Sequence, residues 1–401
     1  MENQDIIVFG IQAWDIEIGS NCKNIAATMA KNNRVLYINQ PLDRKSRIKE
    51  RATEKDKKRV AVLRGKQPEI EKIDSEFWVM NPRTLLESTN WLPDGWLFDR
   101  VNRINNIRLA RRIRIAIKQL GFEDFIFFND SSMFLGLHLK ELLQPRVYVY
   151  YMRDYLTKNP FWSKHGVRIE PQLIRKADVV VNNSLLYTEY GLKYNPHSYM
   201  VGQGCDVEAY NDDLQEITIA PELADLTHPV IGYVGFLSNR RLNIELLETL
   251  AEKRPEWTFV FVGPEDDDFS VSRLHQMKNV IFTGSKEPET LPGWIKGFDV
   301  CLNPQRINDA TTGNYPRKID EYLAMGKPTV ASKTKAMEYF REYTYLGETA
   351  GDYLILIERA IQEDNPKLRE ARKKFARSHT WENNVKAIYD AILKIEPNLK
   401  N

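Results

Sequence analysis

Short apolar runs that alternate with helical patterns are the feature that most constrains the fold of this chain. Runs such as residues 34–38, 147–151 and 258–262 are rich in Val, Ile, Phe and Tyr, and the stretches between them carry apolar residues at helical spacing. This alternation predicts an α/β protein in which strand–helix–strand units build parallel sheets. Because such sheets bind ligands outside the carboxyl ends of their strands, polar residues that follow strands are the first candidates for a functional site.

The chain is long enough for two domains that each bury a core, since it has 401 residues. Residues 211–228 are acidic and polar, are interrupted by proline and show no clear strand pattern, so they are predicted to form a linker. The expected domains are therefore residues 1–210 and residues 229–380.

The net charge of +2 hides an uneven distribution. Residues 1–200 hold 32 Lys and Arg against 23 Asp and Glu, which gives +9, whereas residues 201–401 hold 25 against 32, which gives −7. This asymmetry indicates an anionic surface opposite the first half. Nucleic acid is not expected as a partner, because the second half is negative and no zinc-finger, helix-turn-helix or ribonucleoprotein signature is present.

Isolated cysteines and the lack of targeting signals indicate a reducing, cytoplasmic setting. Cys22, Cys205 and Cys301 show no metal-ligand spacing and are expected to be core or near-core thiols. No run of eighteen apolar residues occurs, so a membrane span is not expected. The six histidines are scattered, so no catalytic metal is expected, and the absence of Gly-x-Gly-x-x-Gly after a strand disfavours a dinucleotide-dependent oxidoreductase.

Residues 315–330 combine a helix start, a charged face, a glycine stop and a following strand. Pro316 suits the first helical position, Gly326 suits a left-handed cap, and Pro328 prevents continuation. The backbone amides of residues 311–315 are expected to be free and to form a small positive pole that can hold an anion.

Three side chains of this helix extend the argument. Arg317 and Lys318 add positive charge to the pole, and Glu321 lies about one turn further along, where a carboxylate can accept hydroxyl hydrogen bonds. The ligand that fits this segment has phosphates at one end and vicinal hydroxyls beside them, which are the groups of a nucleotide-sugar. An ordinary surface helix with mixed charges fits the same segment.

The segment from Pro316 to Val330 resembles the donor-binding helix of retaining nucleotide-sugar glycosyltransferases with the GT-B fold, of the family 4 or group 1 type. Residues 230–235, 259–264 and 280–284 resemble successive strands of that family's donor domain. The resemblance implies two Rossmann-like parallel-sheet domains that face a central cleft. It also implies a C-terminal helix, within residues 381–401, that crosses back to the first domain; a last core helix of the second domain is the alternative.

The resemblance also implies a set of donor-binding residues. Gly235 ends the first donor strand, and a basic residue after it, Arg240 or Arg241, would grip the diphosphate. The remaining expected donor contacts are Gly313, Asn314, Tyr315, Arg317, Lys318 and Glu321. The family often carries two glutamates separated by seven residues; Glu321 fits the second, but Gly313 stands in the place of the first, which leaves the sugar open.

Three aspartates after strands are candidate catalytic residues. Asp15 lies in the loop that takes the place of the family's glycine-containing loop, while Asp130 and Asp154 end two apolar runs. Each could orient or deprotonate an acceptor hydroxyl, and each fits equally the role of a turn or helix cap. Asp154 is preferred because its Tyr-x-x-Asp-Tyr setting resembles cell-surface polysaccharide and teichuronic acid transferases.

The expected function is transfer of a sugar, with retention, from a nucleotide-sugar to a hydroxyl of a glycan or lipid-linked acceptor in cell-envelope polysaccharide biosynthesis. No cofactor is expected, because the nucleotide-sugar is the substrate. A nucleotide-sugar epimerase and a non-catalytic nucleotide-sugar-binding scaffold subunit are the alternatives.

Two basic segments, residues 44–66 and 100–118, concentrate the positive charge of the first half, and residues 91–98 add tryptophans and a phenylalanine. Basic faces beside aromatic residues suit the surface of an anionic membrane, here the inner face of the cell membrane. A solvated loop and a core helix with one charged face fit the same pattern.

Overall fold

A computed structural model describes residues 1–15, 20–45, 54–308 and 311–399, with no side-chain detail for residues 54–56. The chain divides into two compact units, one formed by Met1–Gly202 with Asn384–Asn401 and the other by Gln203–Asn383. The dividing point thus lies just before residue 203, and the segment expected as a linker, residues 211–228, falls inside the second unit. There Ile217, Ala220 and Leu223 join its apolar core.

The first unit is built on a sheet of eight strands among the described residues, in the order β3-β4-β2-β1-β5-β6-β7-β8. All neighbours pair in parallel except β3, which is antiparallel to β4. The strands are β1 Asp5–Gly10, β2 Arg34–Ile38, β3 Ile70–Asp74, β4 Phe77–Met80, β5 Ile126–Asp130, β6 Val147–Met152, β7 Val179–Asn182 and β8 Ser198–Met200.

Helices pack on this sheet as the alternation in the sequence predicts. Those within the unit are α1 Asn21–Met29, α2 Glu54–Leu63, α3 Trp96–Leu120, α4 Met133–Gly136, α5 Leu139–Leu143, α6 Pro160–Lys176 and α7 Leu185–Leu192. Helix α6 begins at Pro160, where the Asn159 side chain caps it by accepting from the Phe161 backbone amide, and Pro171 lies inside it.

The second unit is built on a parallel sheet of six described strands in the order β11-β10-β9-β12-β13-β14. The strands are β9 Val230–Val234, β10 Thr258–Val262, β11 Val280–Phe282, β12 Val300–Asn303, β13 Thr329–Ser332 and β14 Tyr345–Gly347. The helices are α8 Ile244–Lys253, α9 Asp267–Ser270, α10 Leu291–Gly297, α11 Arg317–Ala324, α12 Ala350–Glu363, α13 Pro366–Arg377 and α14 Trp381–Leu393, the last of which continues into the first unit.

Short 3-10 turns link several of these elements in both units. They are Leu156–Lys158, Val207–Tyr210, Pro221–Leu223, Arg273–Gln276, Pro288–Thr290, Ala336–Phe340 and Pro397–Leu399. Cys22, Cys205 and Cys301 are all buried free thiols, which confirms their expected place in the cores.

The C-terminal segment packs in the first unit. The Asn33 amide donates to the Tyr389 hydroxyl at 3.0 Å, and the Asn384 amide donates to the carbonyl oxygens of Val201 and Gly202. The end of the chain therefore completes the unit in which the chain begins, as the expected crossover requires.

Candidate active site

One group of candidate residues lies where β9 of the second unit ends. Gly235 follows β9 with a φ of 137°. A Cβ atom on Gly235 would lie 2.7 Å from Nζ of Lys318 and 3.2 Å from the hydroxyl of Tyr233. A Cβ atom on Gly263, just after β10, would lie 2.1 Å from the carbonyl oxygen of Gly235. The absence of side chains at both strand ends therefore lets α11 approach the sheet closely.

Lys318, in the first turn of α11, is held against this strand end by Tyr233. Its Nζ donates to the Tyr233 hydroxyl at 2.6 Å and lies 4.3 Å from the centre of the same ring. A tyrosine ring and hydroxyl orient an ammonium group without neutralising its charge. The positive charge beside Gly235 is therefore available to a bound anion.

Glu321 lies one turn further along α11. Its side chain is half-buried, and it is not among the described residues that accept a hydrogen bond. Burial raises the pKa of Glu321, while the nearby charges of Arg317 and Lys318 oppose this increase. A carboxylate that loses water without gaining a partner is destabilised, so hydroxyl groups of a ligand would restore the missing hydrogen bonds.

Arg317 adds a second cation to the start of α11. Its Nη2 lies 4.0 Å from Oδ2 of Asp206, and its Nε is buried without a partner in the described part of the chain. Asp206 is itself oriented by the indole of Trp381, which donates to Oδ1 at 2.8 Å. Arg317 therefore keeps guanidinium donors that a ligand could use.

The opposite face of α11 is fixed by a buried polar network. The Tyr315 hydroxyl donates to Oδ2 of Asp320 at 2.8 Å, and Nδ1 of His379 lies 2.6 Å from Oδ1. Burial raises the pKa of Asp320, which the His379 hydrogen bond opposes. The side chain of Tyr315 is thus used inside the unit, and the predicted contact of Tyr315 with a donor stays a prediction for its backbone.

The loop before α11 is less open than its sequence suggests. The amides of Thr311 and Thr312 donate to Oδ1 and the carbonyl oxygen of Asn308, and the amide of Asn314 donates to the carbonyl oxygen of Thr311. The prediction of a free positive pole across residues 311–315 is therefore wrong for these three amides, because the loop closes on itself. Gly313, buried in this loop, keeps its place beside the start of α11.

Arg240 and Arg241 are exposed in the loop between β9 and α8. This loop is hydrogen-bonded to the one before α11. The side-chain amide of Asn308 donates to the carbonyl oxygen of Arg240, and the backbone amide of Arg306 donates to the carbonyl oxygen of Arg241. No described residue pairs with either guanidinium group. Both are therefore free to reach a ligand, and the structure does not separate their roles.

A separate group of candidate residues lies in the first unit, at the ends of β5 and β6. Asp130 is completely buried and is bound by Nε and Nη2 of Arg153 at 2.8 and 3.2 Å. Nη1 of the same arginine donates to Oδ2 of Asp154 at 2.7 Å, and Nη2 also donates to Gln12 at 3.2 Å. Arg153 thus joins three strand ends, because Gln12 follows β1.

Asp15 lies in the loop after β1. The next residues, 16–19, which include Gly19, fall outside the described part of the chain. Oδ1 of Asp15 lies 3.4 Å from Nη2 of Arg59 in α2. The structure therefore does not bring Asp15 into direct contact with Arg153, and it engages a different cation from Asp130 and Asp154.

Comparison with known proteins locates a family domain in the second unit. A family model described as glycosyl transferases group 1 matches residues 228–360, which include β9 to β14 and the whole of α11. The second unit carries a group 1 glycosyltransferase domain. The chain is also 26% identical over 226 residues to TuaH of Bacillus subtilis (strain 168), a protein named for a glycosyltransferase role in teichuronic acid biosynthesis. That match spans 53% of this chain and about half, 56%, of the relative.

Solved structures show that the chain has the GT-B fold. Anabaena HepE in complex with UDP has a TM-score of 0.66 at 14% identity, over 98% of this chain and 100% of HepE. Sucrose-phosphate synthase from Thermosynechococcus elongatus has a TM-score of 0.65 at 13% identity, over 99% of this chain and 100% of that one. The predicted fold class is confirmed by these likenesses and by the two α/β units.

Three residues of this glycosyltransferase fold were not found from the sequence. Tyr233 lies inside an apolar run, Arg153 follows one, and Asn303 ends β12 with both of its side-chain amide atoms buried and unpartnered in the described part of the chain. A polar residue at the last position of a buried strand was the available signal for Asn303. Tyr233 binds Lys318, and Arg153 binds Asp130, only across long stretches of chain, so no local pattern marks these contacts.

Proposed function

We propose that this protein transfers a sugar from a nucleoside-diphosphate donor to a hydroxyl of a glycan or lipid-linked acceptor in cell-envelope polysaccharide biosynthesis, with retention of configuration. The observation that carries the proposal is the pair Lys318 and Glu321 on one face of α11 beside Gly235, within the matched family segment. The UDP complex of the structural neighbour HepE and the named role of TuaH support it.

The donor half of the reaction follows from the charges around α11. When the bond between the anomeric carbon and the diphosphate oxygen breaks, its electron pair stays on the diphosphate. Lys318, Arg317 and one of the two exposed arginines, Arg240 or Arg241, would stabilise that negative charge. Glu321 would accept hydrogen bonds from ribose hydroxyls and so hold the nucleoside in register.

The acceptor half needs a group that orients the hydroxyl and takes its proton as the new bond to the anomeric carbon forms. Asp154 suits this role better than Asp130, because its side chain is 42% exposed and is bound by a single guanidinium nitrogen, whereas Asp130 is inaccessible and bound by two. Asp15 remains a candidate whose carboxylate pairs with Arg59.

The charge arrangement makes a metal unnecessary in this scheme, because cationic side chains neutralise the diphosphate. Turnover is therefore expected to persist in the presence of a chelator. The cytoplasm is the proposed location, since nucleotide-sugars are the substrate, and a lipid-linked acceptor would bring the first unit to the inner face of the cell membrane.

Donor binding tests the proposal directly. Thermal unfolding is measured with UDP-, GDP-, ADP-, CMP- and dTDP-sugars for the wild type, Lys318→Ala and Glu321→Ala, with the exposed Lys278→Ala as the matched control. A donor at one hundred times its Kd should stabilise the wild type and the control by about 2.7 kcal/mol. Both α11 variants should lose this shift while remaining folded, since Glu321 is a half-buried carboxylate whose removal relieves a desolvation cost.

A wild-type protein that no donor stabilises would overturn the proposal, as would an unchanged shift in both α11 variants. The anomeric configuration of the product, read by proton NMR during turnover with the donor so identified, tests retention separately.

A further inference from the structure

The first unit carries a cluster of large apolar side chains on its outside. Trp91 is 72% exposed, Trp96 70%, Phe161 55% and Val167 63%. Single exposed apolar residues are common on soluble proteins, but tryptophans and phenylalanine gathered in one place mark an interaction surface. These four residues are called the aromatic patch below.

Hydrogen bonds between two segments make the patch continuous. Nζ of Lys164 in α6 donates to the carbonyl oxygen of Asn90 at 2.9 Å, directly before Trp91. Arg168 in the same helix binds Asp94 and Asp99 at 2.8 and 2.9 Å. The segment with the two tryptophans therefore lies along the first turns of α6.

The exposed face of α6 is not required by the core. Phe161, Lys164 and Val167 recur every third residue and so share one face of the helix. The opposite face is buried, where His165 stacks on Phe98 with ring centres 3.9 Å apart. Phe161 meets the ring of the adjacent Trp162 edge-on, with ring centres 5.2 Å apart, yet 55% of Phe161 and 63% of Val167 stay exposed.

The charge around the patch is positive. The two acids of the region, Asp94 and Asp99, are both engaged by Arg168, which holds the pKa of Asp94 below its usual range. Lys164 binds only a neutral carbonyl group, and no described carboxylate pairs with Arg100 or Arg103. Trp96, Arg100 and Arg103 follow one another at helical spacing on α3, so cations border the aromatic side chains.

Three further arginines of α3 are engaged within the unit. Arg108 binds Glu87 at 2.8 Å, Arg112 binds Glu69 at 3.0 Å and Arg114 donates to the carbonyl oxygen of Leu142. This corrects the expectation that the whole basic segment 100–118 faces a membrane. Residues 46–53 of the other basic segment lie outside the described residues.

We propose that the aromatic patch inserts into the headgroup region of an anionic lipid bilayer. The indole and phenyl rings would lie at the boundary with the acyl chains, and Lys164, Arg100 and Arg103 would contact lipid phosphates. No described helix is both long and apolar enough to cross a bilayer, so the contact is in the plane of the surface. The inference rests on the proposed function for its purpose, because it brings the first unit to a lipid-linked acceptor.

Vesicle co-sedimentation of the full chain tests the proposal. Vesicles of phosphatidylglycerol and phosphatidylcholine in equal parts should bind the wild type, and vesicles of phosphatidylcholine alone should not. The triple variant Trp91→Ser, Trp96→Ser, Phe161→Ser and the double variant Arg100→Glu, Arg103→Glu should each weaken binding at least about tenfold.

Matched controls change equally exposed residues of the second unit. They are Leu214→Ser, Val271→Ser, Ile355→Ser for the apolar triple and Lys278→Glu, Lys367→Glu for the charge reversal, and both should bind vesicles like the wild type. Equal losses in patch variants and controls, or no binding of the wild type to anionic vesicles, would overturn the proposal. A wild-type dimer in sedimentation velocity that the apolar triple variant converts to a monomer would instead assign the patch to a second copy.

Donor-induced thermal stabilisation, measured on the same variants, separates the two proposals. It should be unchanged in every patch variant, because none of these residues lies in the second unit. Loss of vesicle binding with retained donor binding therefore tests only the proposed membrane surface. Failure of donor binding in the wild type would overturn the proposed function instead.

Discussion

Asp130 and Asp154 share one arginine, yet their surroundings give them different chemistry. Asp130 is fully buried, and Nε and Nη2 of Arg153 occupy its two oxygens, so it acts as the counter-ion that keeps this guanidinium inside the unit. Asp154 is partly exposed and uses one oxygen for Arg153. One aspartate therefore belongs to the architecture of the strand ends, and the other is available to a substrate.

Conservative variants of these two aspartates should separate the roles. Asp130→Asn should lower the free energy of unfolding by about 3 kcal/mol, because it leaves a buried guanidinium without its main counter-ion. Asp154→Asn should change stability by less than about 1 kcal/mol but reduce kcat at least about 100-fold. Urea unfolding and steady-state transfer rates measure the two effects.

The opposite result, a stable but inactive Asp130→Asn and an active Asp154→Asn, would exchange the assignments. Asp15→Asn serves as the third variant in the series, since its carboxylate contacts Arg59 and not Arg153.

Glu170 is a second buried carboxylate of the first unit, and it titrates near neutrality. Burial raises its pKa to about 7, although the Tyr150 hydroxyl, which donates to Oε1 at 2.8 Å, opposes the increase. The folded chain therefore binds the proton more tightly than the unfolded chain does. Its contribution to stability is complete below the ordinary pKa of 4.5 and is lost as the pH rises to about 7.

Glu170→Gln should remove this part of the pH dependence. Relative to the wild type, the variant should gain up to about 3 kcal/mol of unfolding free energy between pH 5 and pH 8. Urea unfolding at a series of pH values measures the difference, which cancels the contributions of other titrating groups. A constant difference between the two proteins over this range would contradict the assignment.

At the scale of elements, two glycines of the second unit have separate tasks. Gly235 ends β9 and keeps Lys318 next to the strand, whereas Gly326 follows α11 with a φ of 70° and donates to the carbonyl oxygen of Leu323 at 2.8 Å. The first is placed for ligand approach and the second for ending the helix. The predicted left-handed cap at Gly326 is confirmed.

Alanine at each position should show this difference. Gly326→Ala should cost about 1 kcal/mol of stability with donor affinity unchanged, because Ala strains the left-handed cap. Gly235→Ala should weaken donor binding at least about tenfold, since its Cβ would lie 2.7 Å from Nζ of Lys318 and displace the ammonium group. Calorimetric titration with the identified donor, beside thermal unfolding, distinguishes the outcomes; equal donor affinity in both variants would contradict the role of Gly235.

At the scale of the whole molecule, the first unit depends on both ends of the chain. The side chains of Ile388, Ile392 and Leu399 are buried in the C-terminal segment, and Tyr389 bonds to Asn33 near the start. Ending the chain after Asn383 should therefore remove at least about 4 kcal/mol of stability from the first unit. The second unit, Gln203–Asn383, remains complete in such a variant.

Hydrogen exchange followed by mass spectrometry tests this prediction region by region. Peptides of β1 and β2 should lose protection, whereas peptides of β9 and β10 should keep it. A chain that ends after Leu399 is the control and should exchange like the wild type. Uniform loss of protection in both units would show that the segment acts on more than the first unit.

Local patterns in the sequence determined a large part of this protein. β2 and β10 have the bounds that their apolar runs predict, and the sequence alone indicates the charged face and glycine cap of α11. Strand alternation, helix periodicity and caps depend on residues within a few positions of each other, which is why a single sequence reveals them. The resemblance to group 1 glycosyltransferases rests on the same local segments.

Tertiary structure decided what those local patterns leave open. β3, with exposed Lys72 and Asp74 side chains, becomes a strand only because it pairs with β4, and α6 continues through Pro171. The contact of Lys318 with Tyr233, the binding of Asp130 by Arg153 and the pairing of Arg168 with Asp94 all join residues far apart in the chain. The sequence therefore predicts the helices, the strands and the candidate site residues. The long-range contacts decide which of these side chains remain available to a ligand.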